Sequence, residues 1–193
     1  MKNIELKPGI YWVGGIDWDI RNFHGYSTER GTTYNAYLII DEKVVLVDTV
    51  KHYLFDEMVA RIKEIVDPAK IDIIVSNHVE MDHSGSLPKI LELCPNAKIL
   101  TSPMGEKGLK RHYKKDDWNL EVVKTGDTLS IGKRTLAFTQ LPMIHWPDSM
   151  ATYIPEEKLL LPNDAFGQHI ASSERFDDEL PWDILREEAA KYY

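Results

Sequence analysis

The stretch Ile71 to Leu87, IDIIVSNHVEMDHSGSL, constrains this chain more than any other part of it. Ile71 to Val75 is an apolar run of strand length and composition. Directly after it, His78, Glu80, Asp82 and His83 place four metal-competent side chains within six residues. Side chains alternate faces along an extended strand end, so His78 and Glu80 point the same way and can serve one cation. Ser84, Gly85 and Ser86 predict a turn into a helix spanning Leu87 to Leu93, which lets Asp82 and His83 point back towards a second, adjacent cation. The competing reading is a polar turn with Asp and Ser as helix caps. Two imidazoles and two carboxylates crowded this closely favour metal.

The rest of the composition narrows the field. A chain of 193 residues, 43% hydrophobic and 28% charged, can build one compact domain around a sizeable core. Its net charge is −8 and its basic residues are scattered rather than gathered into a stripe, which argues against nucleic acid. The single cysteine, Cys94, belongs to no CxxC pair, and is expected as a buried thiol at a helix end in a protein of the reducing cytoplasm. Lys7, Pro8 and Gly9 interrupt any leader-like run, and no apolar stretch approaches the length that spans a bilayer, so no membrane partner is expected.

Hydrophobic periodicity orders the remaining elements. Ile10 to Ile16 has strand composition, and Asp17 to Arg30 is a polar, aromatic-rich loop with no clear period. Thr33 to Ile40 and Lys43 to Val50 predict a hairpin around Asp41 and Glu42. Phe55, Val59, Ile62 and Val66 recur at helical spacing within Tyr53 to Val66, before Asp67 and Pro68 end the run. A helix ending near Cys94, a strand at Lys98 to Thr101 and a helix at Pro103 to Tyr113 follow. Leu120 to Lys124, Thr128 to Ile131, Arg134 to Leu141, Ala151 to Ile154 and Lys158 to Leu161 then predict a largely antiparallel sheet. This order favours α/β architecture, two sheets face to face with helices outside, in four layers. Pro181 to Tyr193 carries Trp182, Leu185, Ala189 and Tyr192 on one helical face; it reads either as a helix cut short or as a docked terminal helix.

Two later positions repeat the logic of a ligand placed beyond a strand. His145 lies in LPMIHWPDSM, where Pro142 and Pro147 frame the backbone and Trp146 and Asp148 are neighbours able to hold a ligand's direction. Asp164 follows Leu159, Leu160, Leu161 and Pro162, and an aspartate there can bridge two cations or simply cap a turn.

The spacing HxExDH, then His145 62 positions on and Asp164 19 beyond that, resembles the metallo-β-lactamase superfamily. Within it, the chain resembles the diiron domain of flavodiiron proteins, which reduce dioxygen to water or nitric oxide to nitrous oxide. RNFHGYSTERGTTYNAYL, LVDTV, NHVEMDHSGSLP, LPMIHWPDSM and LLPNDAFGQH carry the likeness along essentially the whole chain. Glu80 discriminates within the superfamily: zinc hydrolases usually have a histidine there, whereas a carboxylate adds hard anionic oxygen that suits iron.

The resemblance implies a metallo-β-lactamase-like αββα sandwich over residues 1–193, incomplete at its C-terminus. It implies His78, Glu80 and His145 on one iron, Asp82 and His83 on the other, and Asp164 bridging. The family's last histidine ligand has no counterpart here; His169 lies too near Asp164 and reads as a residue beside the site or at the surface. His24 matches a family position close to the metals, Tyr26 and Trp146 are candidate pocket walls, and His52 and His112 receive no role. The resemblance further implies flavin mononucleotide (FMN) in a flavodoxin-like domain absent from this chain, a rubredoxin-type electron donor, and head-to-tail homodimers or tetramers. Two rivals remain open: a dinuclear zinc hydrolase on the same fold, and a catalytically incomplete assembly module.

Overall fold

Alternation along the strand Ile71–Ser76 sets the layering, because Ile73 and Val75 pack into one buried cluster and Ile74 into another. The computed structural model describes residues 4–23 and 25–192. Its main sheet runs in the order Ile4–Lys7, Ile10–Trp12, Tyr37–Ile40, Val44–Val47, Ile71–Ser76, Lys98–Thr101 and Leu120–Val122. The first four of these pair antiparallel and the rest pair parallel. Parallel neighbours require crossovers. Helices Phe55–Lys63, Leu87–Leu93 and Pro103–Tyr113 supply them, burying Met58, Val59, Ile62, Leu87, Ile90 and Leu109 against Leu38, Leu46, Ile74 and Ile99.

The second sheet, Thr128–Ser130, Thr135–Gln140, Met150–Ile154 and Leu159–Leu161, is antiparallel throughout. Its Leu136, Phe138, Met150, Ile154 and Leu161 meet Ile39, Val45, Val47, Ile73, Val75 and Leu100 of the main sheet. Layers therefore run helix, sheet, sheet among the described residues: the two sheets meet face to face as expected, but instead of the expected fourth, helical layer the second sheet's outer face carries the partly exposed Tyr153 and Leu160.

Several expected boundaries shift for identifiable reasons. Ile10 to Ile16 is two strands: Ile10–Trp12 stays in the main sheet, while Gly15–Asp17 pairs with Thr32–Tyr34 in a separate ribbon. The break falls at Gly14, where a Cβ would stand 2.1 Å from the Tyr34 carbonyl oxygen. The same ribbon splits Thr33 to Ile40. The loop from Asp17 to Arg30 contains a small hairpin, Asn22–Phe23 with Tyr26–Ser27. Leu120–Val122 is not part of the antiparallel sheet; it lies parallel to Lys98–Thr101. The C-terminal helix, Trp182–Tyr192, buries Leu185 and Glu188 and leaves Trp182 72% exposed, not on the packed face as expected. Arg30 draws Glu188 inward with its Nε 3.1 Å from Glu188 Oε1.

Candidate metal centre

Both sheets deliver side chains to one place. The strand Ile71–Ser76 ends, and Asn77 carries the chain to His78, which is fully buried. Glu80 then precedes a single helical turn, Met81–Ser84, that presents Asp82 and His83; all three are buried. Gly85 closes that turn where a Cβ would meet the Met81 carbonyl oxygen at 2.3 Å, so glycine is needed for the backbone to pass. From the second sheet, His145 comes on the connection between Thr135–Gln140 and Met150–Ile154, and Asp164 follows Leu159–Leu161.

The six predicted ligands converge as two groups that share Asp164: His78, Glu80, His145 and Asp164, and Asp82, His83 and Asp164. Asp164 divides its oxygens between them. Its Oδ1 lies 2.9 Å from His83 Nε2, while Oδ2 lies 3.3 Å from His145 Nε2 and 3.5 Å from His78 Nε2. Glu80 Oε2 stands 3.1 Å from both His78 Nε2 and His145 Nε2, and Asp82 Oδ2 lies 3.1 Å from His83 Nε2. Asp82 Oδ1 is buried with no hydrogen-bond partner among the described residues. An anionic oxygen held dry in that way is costly unless a cation meets it, and the nitrogen and carboxylate donor set fits iron or zinc.

The charges bear this out. Burial alone would lower the pKa of His78, but Asp148 and Glu80 outweigh it and push the imidazole up to about 9. Burial also works against a charged His83, yet Asp164 and Asp82 hold its pKa well above the ordinary range. His145 is raised chiefly by Asp164. Asp164 itself, despite burial, is held far below the usual carboxylate range by His83 and His145. Without metal, protons on the imidazoles balance the carboxylates; metal competes with those protons for the same atoms.

Two aspartates brace the ligands. Asp148 Oδ2 accepts from His78 Nδ1 at 2.9 Å and from the Val79 N–H at 2.8 Å, which turns His78 Nε2 towards the cluster. The sequence placed Asp148 behind His145; the structure places it behind His78. Asp48, whose segment LVDTV was marked in the sequence without a role for the aspartate, accepts from Asn77 N at 2.8 Å, Asn77 Nδ2 at 3.0 Å and Asn163 Nδ2 at 3.1 Å. It thereby ties the residue before His78 to the residue before Asp164. Thr49 donates to the His83 carbonyl through both its N–H and its hydroxyl.

Trp146 stands edge-on to His78, with ring centroids 5.2 Å apart, and forms wall rather than ligand. His169 joins neither donor group. Its Nδ1 lies 3.0 Å from Thr32 Oγ1, and it lines a small cavity beside Asp82, His83 and Asp164. His52 and His112 are exposed, as expected. His24 lies outside the described residues.

Known proteins resemble this chain in sequence and share its fold. Residues 32–182 match the family described as ODP family beta lactamase. A nitric oxide reductase of Moorella thermoacetica is 56% identical over 98% of this chain and 48% of its own length. A rubredoxin-oxygen oxidoreductase of Megalodesulfovibrio gigas is 47% identical over 100% of this chain and 48% of its own. The solved structure of rubredoxin oxygen:oxidoreductase from Desulfovibrio gigas superposes with a TM-score of 0.97 at 47% identity, over 100% of this chain and 48% of that one. The flavodiiron protein from Giardia intestinalis superposes at 0.96 with 40% identity, over 100% and 47%. The chain spans about half the length of the curated relatives it matches.

Proposed function

The chain belongs to the ODP family of β-lactamase-like domains, and from that membership together with the site geometry we propose that it is the diiron domain, over residues 1–193, of an oxidoreductase that reduces dioxygen or nitric oxide. The observation that carries this reading is the division of Asp164, one oxygen to each donor group, with the carboxylate of Glu80 in the first. His78, Glu80 and His145 would hold one iron, Asp82 and His83 the other, and Asp164 would bridge them. Bound there, two ferrous ions supply electrons to a diatomic gas.

The chain's own residues hold, exclude and orient. Asp148 keeps the His78 Nδ1 proton in place, so that Nε2 is the atom offered to metal. Asp48 and Thr49 fix the backbone on which His78, His83 and Asp164 sit. Trp146 covers the buried His78, while His145, with 39% of its side chain exposed, leaves one side open to a small gas. His24 is proposed to act beside the metals.

In the complete protein, electrons would arrive through FMN in a flavodoxin-like domain from a rubredoxin-type donor, in a head-to-tail homodimer or tetramer. No helix among the described residues is long and apolar enough to cross a membrane. The buried thiol of Cys94, pushed up to about 11 by desolvation, suits the reducing cytoplasm.

Anaerobic loading with ferrous iron in competition with zinc, followed by elemental analysis and rapid mixing with each gas, tests the reading. About two irons per chain, oxidised rapidly by dioxygen or nitric oxide, is the expected result. Retained zinc with hydrolytic activity would replace the reductase with a hydrolase, and a chain that takes up no metal would be an assembly module.

A further inference from the structure

Reducing dioxygen to water, or nitric oxide to nitrous oxide and water, consumes one proton for every electron. On the reductase reading, which this inference presupposes, a buried centre must be fed protons as well as electrons. A cluster outside the ligand set is built for that supply. Asp17, 8% exposed, ends the strand Gly15–Asp17, and Tyr34, 1% exposed, ends the strand paired with it. Tyr53, 50% exposed, lies on the turn His52–Leu54. Asp17 Oδ2 accepts from the Tyr34 hydroxyl at 3.3 Å and from the Tyr53 hydroxyl in a shorter bond, and the two hydroxyls are 3.3 Å apart.

The two ends of this cluster face different surroundings. Tyr34 lines, with Asp82, His83 and Asp164, a cavity of about 40 Å³. That is room for about one water, and Thr32, Asn163 and Gln168 on the same wall can partner it. Asp17 and Tyr53 line a separate open groove of about 480 Å³. A cluster serving packing alone would be satisfied by burying all three groups; this one has Tyr34 on the wall of the metal pocket and leaves Tyr53 half exposed.

We propose that Tyr53, Asp17 and Tyr34 form a proton relay from the open groove to the pocket beside Asp82. A proton from solvent replaces the one that Tyr53 passes to Asp17. Asp17 passes a proton to the Tyr34 oxygen as Tyr34 releases its own into the inner cavity. Each O–H bond broken is matched by one formed, no electron moves, and one proton is carried inward. Burial and the neighbouring Asp17 and Asp82 carboxylates raise both phenols, Tyr53 to about 12, so each hydroxyl keeps its proton between transfers.

The test uses Tyr34→Phe, which keeps the ring, and Asp17→Asn, which keeps the shape. The ferrous-loaded chain is mixed with dioxygen in the presence of a pH indicator, so that iron oxidation and proton uptake are followed together in light and heavy water. In both variants, iron content is expected to match the wild type, proton uptake to slow about tenfold or more, and the solvent isotope effect on that uptake to rise above the wild type's. In the metal-free protein, tyrosine ¹³C NMR reads the link directly, and the Tyr53 pKa is expected to fall in Asp17→Asn. Should one variant fail to fold, the other still decides. Normal iron oxidation with wild-type proton uptake in the folded variants, or an unmoved Tyr53 titration, overturns the relay alone. A wild-type chain whose loaded iron neither gas oxidises overturns the reductase reading and the relay with it.

Discussion

Substituting Asp148 separates charge from geometry at the candidate centre. Its Oδ2 accepts from both His78 Nδ1 and the Val79 N–H, at 2.9 and 2.8 Å, in a side chain 5% exposed. Because both bonds fall on one oxygen, Asp148→Asn can keep them by presenting its amide oxygen there, and loses only the negative charge. Charge-assisted hydrogen bonds contribute about 1.5–3 kcal/mol and neutral ones about 0.5–1.5 kcal/mol, so the loss is about 1–1.5 kcal/mol for each bond, and the bond to His78 is the one that bears on the metal. That corresponds to about tenfold weaker metal retention. Asp148→Ala removes both bonds and strands two buried donors at about 1–3 kcal/mol each, which predicts roughly hundredfold weaker retention and about 2–6 kcal/mol lost from unfolding. Ferrous binding in competition with a chromophoric chelator reads the first quantity, and urea unfolding of the metal-free chain reads the second. Equal metal affinity in all three proteins would refute the claim that Asp148 orients His78. An asparagine variant as damaged as the alanine one would refute the separation of charge from shape.

The same imidazole makes the metal-free protein pH-sensitive. His78 has a folded pKa of about 9 against an ordinary 6.5, because Asp148 and Glu80 overcome the cost of burial; the stabilisation, about 3 kcal/mol, is therefore full below pH 6.5 and lost as pH rises through about 9. Urea midpoints of the metal-free chain across that window should fall, and a flat profile would contradict the assignment. Glu80→His replaces the hard oxygen that stands 3.1 Å from two imidazoles, and should shift the preference from iron towards zinc in a competition assay and abolish gas reduction in the complete protein. Asn163→Ala removes the amide that donates to Asp48 at 3.1 Å and the oxygen that accepts from the Asp164 N–H at 2.8 Å. It should cost about 1–3 kcal/mol of stability and, by loosening Asp164, lower occupancy of both metal positions together; loss at one position only would argue against a shared bridge.

The elements legible in the sequence are those whose signals are local. The helix Pro103–Tyr113 matches its expected limits because both ends are marked in sequence and structure. Ser102 Oγ accepts from Gly105 N at 2.9 Å, Pro103 opens the first turn, and Lys114 turns left-handed at φ 52°. What local pattern misses is the identity of a strand's neighbour. Leu120–Val122 looks like its successors in composition yet pairs parallel with Lys98–Thr101, because Val123 and Leu100 share the buried space between the sheets. The helix Trp182–Tyr192 misleads for a related reason: an aromatic at the expected position is outbid by an ion pair, Arg30 with Glu188, formed across 158 residues of chain.

The aspartates show where sequence reasoning about the site stops. Asp17, Asp48, Asp148 and Asp164 all lie at or beside strand ends, a setting in which turn or cap aspartates are common. Their chemistry differs only through what the fold sets opposite them. Asp164 meets imidazoles on both oxygens, Asp148 meets the back of one imidazole, Asp48 meets two asparagine amides, and Asp17 meets two phenols. His78, Glu80, Asp82 and His83 were recognisable because their partners lie within a few residues of one another, so the pattern of side-chain types already contains the site. For the braces, each partner is separated by 17 to 115 positions, and the information that assigns a role is the packing of the two sheets. A ligand can be read where its chemistry is local; the residues that aim it become readable only when the fold brings their partners into contact.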